Sequence, residues 1–262
     1  MDHVKFHSVK CQNFVRYRRL EAPFSFSKLP YGLTEERFNM GLYADFLGNN
    51  EKPAFKWLHF FPVYESHLSR FINRSVRVLE IGVLDGGSLS MWRNYLGPHS
   101  QIIGIDINPE AKRHEDFQII VEIGNQSDIN FLTTIYERYG PFDIVIDDGS
   151  HKQSDLIATF SYFMDKMPQN SVYIIEDTHT ADISNFRDSE RDIFEYLYPI
   201  CRGLSARYSG DDFSVMGQAL SSVSFYDSII AIEFKLPYIR KAIQIGEKEH
   251  RVISQSLSPG GI

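Results

Sequence analysis

The chain has 262 residues, 43% apolar and 14% aromatic, enough for one large domain or one domain with an appendage. Its 27 basic and 34 acidic residues leave a formal charge of −7, which argues against a general nucleic-acid binder. No stretch approaches the roughly 18 apolar residues of a membrane span, and two cysteines, Cys11 and Cys201, argue against a disulfide framework and fit a reducing cytoplasm.

Residues 1 to about 50 read as irregular, without the long apolar run of a secretory signal. "YRRLEAPFSFSKLPYG" mixes basic residues, prolines and aromatics, and "NNEKP" reads as a linker. The aromatics Phe24, Phe26 and Tyr31 suit a lid or dimer contact as well as they suit a poorly packed arm. The basic cluster Arg16–Arg19 reads as a solvated face. The expected division is an arm over 1–54, a catalytic domain over 55–250 and a flexible tail over 251–262.

From residue 55 the pattern becomes regular. "VRVLEIG", "QIIGIDI", "FQIIVEIG", "FDIVIDD" and "SVYIIED" are short apolar runs that read as strands. Between and after them, "GSLSMWRNYLG", "DINFLTTIYERYG", "SDLIATFSYFMDKM" and "SERDIFEYLYPICRG" have helical spacing. Strand alternating with helix predicts an α/β fold with a parallel sheet covered on both faces. "SSVSFYDSIIAIEFK" reads as an antiparallel hairpin at the sheet edge, turning at Asp-Ser. Phe225 and Tyr226 are expected in the core, by period-two burial.

The turn "EIGVLDGGSLSMW" joins the first strand to its helix with G-x-x-x-G-G spacing, unlike the G-x-G-x-x-G of dinucleotide binders. Glu80 precedes Gly82, and a carboxylate there repels phosphate but pairs with an ammonium group. Asp106 ends the second strand, where an acid takes ribose hydroxyls. An amino-acid cation plus a ribose describes S-adenosylmethionine better than NAD. The blander reading is a tight turn and a helix cap.

"LEIGVLDGGSLSMW", "GIDINP", "GNQSD" and "IDDGSH" resemble the class I S-adenosylmethionine-dependent methyltransferases. With "KWLHFFPVYESHL", "IEDTH" and "SFYDSIIAIE", the resemblance narrows to the metal-dependent sugar O-methyltransferases of macrolide biosynthesis, mycinamicin and tylosin type, over roughly residues 55–235. It implies a Rossmann-like, mostly parallel seven-stranded sheet with an antiparallel last strand. It also implies that Gly124 to Ser127, including Asn125 and Gln126, lie against the adenine, although Asn125 stands where such enzymes usually carry Asp. Of the residues Trp57, His59, Tyr64 and His67, which divide between core and cofactor pocket, Tyr64 is the candidate for cofactor contact.

Two strands end in paired acids, Asp147–Asp148 and Glu176–Asp177, with His151 and His179 just behind. Neighbouring strands lie about 4.8 Å apart, so if these two are adjacent, Asp148, Glu176 and Asp177 converge at the carboxyl edge and repel unless a cation or a proton intervenes. Oxygen-only ligands point to a hard ion, Mg2+ ahead of Mn2+ and Ca2+. A metal-held hydroxyl still needs a base, and His151 can lean over the site. The resemblance implies the same metal ligands, Asp148, Glu176 and Asp177, and the same base, His151, with His179 its rival. Asp147 faces the other way by alternation, toward the cofactor or a structural hydrogen bond. Helix capping is the competing reading of these acids.

The expected function is therefore methyl transfer to a hydroxyl of a sugar or another polyhydroxylated small molecule in natural product biosynthesis, in the cytoplasm. The expected partners are that acceptor and a second copy of the chain, with no nucleic acid and no membrane. A catechol or other vicinal-oxygen acceptor would chelate the same metal, and a non-catalytic cofactor-binding scaffold would keep the fold without needing the acids.

Overall fold

A computed structural model describes residues 41–48, 52–204, 219–234, 242–244 and 251–253. Cys11, the Arg16–Arg19 cluster, Phe24, Phe26, Tyr31 and residues 254–262 lie outside the described residues.

The chain forms helix α1 (Leu42–Gly48), a 3-10 turn (Leu58–Phe60) and helix α2 (Phe61–Leu68) before entering the sheet. Then follow β1 (Arg77–Ile81), α3 (Gly87–Leu96), β2 (Gln101–Asp106), β3 (Ile119–Ile123), α4 (Ile129–Tyr139), β4 (Ile144–Asp147), α5 (Gln153–Met164), β5 (Val172–Ile175) and α6 (Ile193–Gly203). The hairpin is β6 (Leu220–Tyr226) and β7 (Ile229–Phe234). A separate two-stranded ribbon pairs β8 (Ala242–Gln244) with β9 (Arg251–Ile253), so the first residues of the expected tail form a strand.

The seven-stranded sheet has the order β3-β2-β1-β4-β5-β7-β6. β1 to β5 pair in parallel, and β7 enters antiparallel between β5 and β6. This is the sheet the sequence resemblance implied. The hairpin turns at Asp227–Ser228, with Ser228 at φ 61°.

Strand alternation sorts the core into two layers. Val78, Ile102, Ile144, Ile146, Val172 and Ile174 pack with Leu42, Phe61, Tyr64, Leu89 and Trp92 from α1, α2 and α3. Leu79, Ile103, Val145, Tyr173 and Ile232 pack with Leu132, Phe160, Phe163 and Leu197 from α4, α5 and α6. Two of the helices, α4 and α6, start at a side-chain cap. The Asp128 carboxylate accepts from Asn130 and Phe131 N–H at the start of α4, and Asp192 and Glu195 make a reciprocal capping box for α6.

Two expectations are corrected. The arm is not wholly irregular, because Leu42–Gly48 is helical and Leu42 is fully buried. Seven residues are too few to display a period against an aromatic-rich background. Phe225 and Tyr226 are not core. They are 50% and 41% exposed, because β6 is the edge strand; Phe225 stacks on Phe194 and Tyr226 hydrogen-bonds His67 instead.

Candidate active site

The carboxyl edge of the parallel strands gathers the charged groups, and register explains which ones meet. Ile81 stands opposite Asp147, and Asp147 opposite Ile175. One residue further on, Asp148 therefore stands level with Glu176. Period-two alternation then puts Glu80, Asp148 and Glu176 on the α1–α3 face and Asp147 on the other.

On the α1–α3 face the three acids share one cation that the sequence reading missed. The Lys56 ammonium lies 2.7 Å from Asp148 Oδ2, 2.9 Å from each Glu176 oxygen and 3.8 Å from Glu80 Oε1, with its side chain only 2% exposed. Burial alone would lower the Lys56 pKa, but Asp148, Glu176 and Glu80 together hold it well above the ordinary lysine range. Burial pushes the Glu176 carboxyl up, reinforced by Asp148 and opposed by Lys56. The signal available in the sequence was a lone lysine inside the apolar run "AFKWLHFF".

Glu80 is fully buried and raised to about 7 by that burial. Its oxygens accept from Ser88 Oγ at 2.9 Å and Trp92 Nε1 at 3.1 Å. Among the described residues, the ammonium it faces is that of Lys56. Tyr64 is also fully buried, with its hydroxyl directed toward the Glu176 carboxylate. Burial and the nearby Glu176 and Asp148 charges raise its pKa well above the usual phenol.

Asp177 adopts a left-handed backbone, φ 52°, and its carboxylate lies near Asp148 and His151. Asp148, His151 and Asp177 each offer an atom within 4.8 Å of the others. His151 Nε2 lies 3.7 Å from Asp177 Oδ2, and His179 Nδ1 lies 4.0 Å from Asp177 Oδ1. Trp57 Nε1 donates to the same Oδ1 at 2.9 Å. The buried His151 Nδ1 has no partner among the described residues. Two carboxylates and an imidazole within 4.8 Å of one another are a donor set that suits a divalent cation. Of the expected metal ligands, the structure brings Asp148 and Asp177 together with His151 and gives Glu176 to Lys56.

Beside the acids runs a cleft of about 360 Å³ lined by Gly82, Asp106, Ile107, Gly124, Asn125, Gln126, Gly149 and Lys152, among others. Gly82 sits at φ 92°, and a Cβ there would overlap the Asp148 carbonyl, so only glycine lets the β1 and β4 ends approach this closely. Asp106 Oδ2 accepts from Val83 and Leu84 N–H at 2.8 and 3.1 Å, and Oδ1 from Asn108 N–H at 2.8 Å. The acid thus holds the glycine turn in place while keeping lone pairs on the cleft side. Asn125 lines the cleft, but its amide oxygen accepts from Ser127 N–H and Oγ, at 3.0 and 2.9 Å, so Ser127 braces the loop rather than the cleft wall.

Asp147 does not reach the cleft. It is fully buried beneath it, where Tyr173 donates to Oδ2 at 2.9 Å and Gln126 Nε2 to Oδ1 at 3.2 Å. The Gln126 oxygen in turn accepts from Ser150 N–H at 2.8 Å, which ties the β3–α4 loop to the loop carrying His151. Of the two roles open to Asp147, the structure shows the structural hydrogen bond.

No protein-family profile matches the chain. Among characterised proteins it is 44% identical over 137 residues to mycinamicin VI 2''-O-methyltransferase of Micromonospora griseorubida, covering 49% of this chain and 34% of the relative. It is 42% identical over 137 residues to demethylmacrocin O-methyltransferase of Streptomyces fradiae, covering 48% and 34%. The crystal structure of MycE methyltransferase from the mycinamycin biosynthetic pathway, in complex with Mg, SAH and mycinamycin VI, superposes with a TM-score of 0.65 at 30% identity, over 74% of this chain and 52% of MycE. The fold is thus that of a Rossmann-like class I methyltransferase, and the resemblance to macrolide-type sugar O-methyltransferases holds. The chain spans about a third of the length of these curated relatives and about half of MycE.

Proposed function

We propose that the protein transfers a methyl group from S-adenosylmethionine to a hydroxyl of a sugar or a glycosylated small molecule, assisted by Mg2+ and a histidine base. The observation that carries this reading is the alignment of acids after β4 and β5 beside a cleft whose wall holds Asp106 and Gly149. MycE, solved with Mg, SAH and mycinamycin VI, supports it, as do the relatives named as mycinamicin VI and demethylmacrocin O-methyltransferases.

S-adenosylmethionine supplies an already activated methyl group, and a hard divalent ion acidifies and aims a bound hydroxyl. This chain's residues do the rest. Asp106 takes ribose hydroxyls at the end of β2, while Gly82, Asn125 and Gln126 shape the cleft around the nucleoside. Asp148, Asp177 and Glu176 are the carboxylates that would hold Mg2+, with Mn2+ or Ca2+ weaker alternatives. Tyr64 and Glu80 back this site from the core. The proton passes to a histidine beside Asp177. His151 carries that assignment; if its nitrogen ligates the ion instead, His179, half-exposed on the other side of Asp177, is the base.

Among the described residues no helix is long and apolar enough to cross a membrane. We place the reaction in the cytoplasm, in keeping with two cysteines in 262 residues. We also propose a homo-oligomer, which light scattering on the purified chain tests.

Incubation with S-adenosylmethionine, Mg2+ and a panel of nucleotide sugars and glycosylated metabolites, read by mass spectrometry, should give a product heavier by one methylene. Methylation of catechols with every glycosylated acceptor left untouched would replace the sugar reading. Failure to bind S-adenosylmethionine at all would remove the activity.

A further inference from the structure

The segment between residues 52 and 57 crosses the site and contributes two donors to it. Lys52 Nζ reaches the His114 carbonyl at 3.1 Å, and the Pro53 carbonyl lies where a Cβ on Gly87 would be. From that anchored start the chain delivers Lys56 to Asp148 and Glu176, and Trp57 to Asp177. Two consecutive residues thus engage all three carboxylates of the proposed metal set.

Both Glu176 oxygens face the Lys56 ammonium at 2.9 Å. Each Glu176 oxygen is thus already engaged by Lys56, on the side that faces Asp148. A hard divalent ion sits at about 2.0–2.6 Å from its oxygen ligands. An ion held by Asp148 and Glu176 would occupy the space of the ammonium and repel it.

We propose that Lys56 is an internal counter-cation that competes with the divalent ion for Asp148 and Glu176. It neutralises the buried acids when no ion is bound and withdraws when one enters, releasing Glu176 to the ion. The proposal rests on the divalent-ion reading above. It makes the Lys56 side chain, carried in by an anchored segment, a plug whose withdrawal frees the site.

The test is direct Mn2+ binding to the full chain, freed of metal by chelator and dialysis, followed by electron paramagnetic resonance without cofactor or acceptor. Lys56→Met should bind Mn2+ at least tenfold more tightly than wild type, because the competitor is gone. Lys56→Arg, which keeps the charge, should bind no more tightly than wild type. Mg2+ should also raise the melting temperature of Lys56→Met by more than it raises that of wild type. If wild type binds Mn2+ and Lys56→Met binds it equally or less well, Lys56 is a permanent structural ion pair and the proposal is wrong while the metal site stands. If neither binds Mn2+, the metal reading and this proposal fall together. Should Lys56→Met not fold without metal, Lys56→Gln is held to the same tenfold criterion.

Discussion

Tyr173→Phe should weaken the fold in a way that depends on pH, because its hydroxyl serves a carboxylate that is entirely inside the protein. Tyr173 and Asp147 are both fully buried, and the hydroxyl sits 2.9 Å from Asp147 Oδ2. Burial raises the Asp147 pKa from 3.8 to about 7, against the opposing pull of the Tyr173, Gln126 and Gly149 donors. The folded state thus keeps the Asp147 proton to higher pH than the unfolded chain does. This contribution to stability is complete below the unfolded pKa and is lost as pH rises through about 7.

Removing the hydroxyl takes away a donor that favours the anion, so the Asp147 pKa climbs further. Near pH 6 the carboxyl is mostly protonated, and the change costs a neutral hydrogen bond, about 0.5–1.5 kcal/mol. Near pH 8.5 it strips a partner from a buried charge, about 1.5–3 kcal/mol. At roughly 2–4 °C per kcal/mol for a domain of this size, melting temperature should fall by about 1–6 °C and about 3–12 °C respectively. The ring contact with Phe160, at 5.2 Å between centroids, is kept, so packing contributes little. Urea denaturation at both pH values measures the difference, and Asp147→Asn should abolish its pH dependence. Equal losses at the two pH values, or none at the higher one, would refute a buried titrating carboxylate.

Asp106→Ala should weaken S-adenosylmethionine binding by about 1–3 kcal/mol in calorimetry, since a ribose hydroxyl and the Val83 and Leu84 N–H groups lose their acceptor; Asp106→Asn should lose less. Chelator should abolish turnover and Mg2+ restore it, while Asp148→Asn and Asp177→Asn should each blunt that rescue and leave cofactor affinity nearly intact; full turnover in excess chelator would dismiss the metal. Replacing the base by alanine should lower kcat by about 10²–10⁴ with little change in KM. If His151→Ala also weakens Mn2+ binding, His151 is a ligand and the kinetic loss belongs to His179→Ala.

The parallel sheet was legible because each of its strands is a short apolar run closed by turn residues and the helices between them show their own period, which the seven residues Leu42–Gly48 cannot. The hairpin was legible in "SFYDSII" for the same reason, but its edge position, and so the exposure of Phe225 and Tyr226, depends on which strand lies outermost. No local pattern carries that. The acids at two strand ends were visible; their partners were not. Glu80 looked free to meet a ligand, yet Ser88 and Trp92, four residues apart on one helical face, cover it. That spacing was readable in "GGSLSMW". Lys56 reaches Asp148 and Glu176 across 92 and 120 residues of chain, a contact only the tertiary fold creates.

The adjacent pair Asp147–Asp148 shows how far alternation alone can carry function. Two identical side chains leave one strand end on opposite faces. Asp147 meets Tyr173 and Gln126 in a sealed layer, where it braces the loops that frame the cleft. Asp148, one residue later and partly exposed, meets Lys56, Asp177 and His151. A one-residue slip of β4 would exchange these fates, putting an unpaired acid under the cleft and removing the site's central carboxylate. Ile144 and Ile146 face the α1–α3 layer and Val145 the α4–α6 layer, and all three are fully buried. The packing that stabilises the strand therefore also fixes which acid is structural and which is free to act.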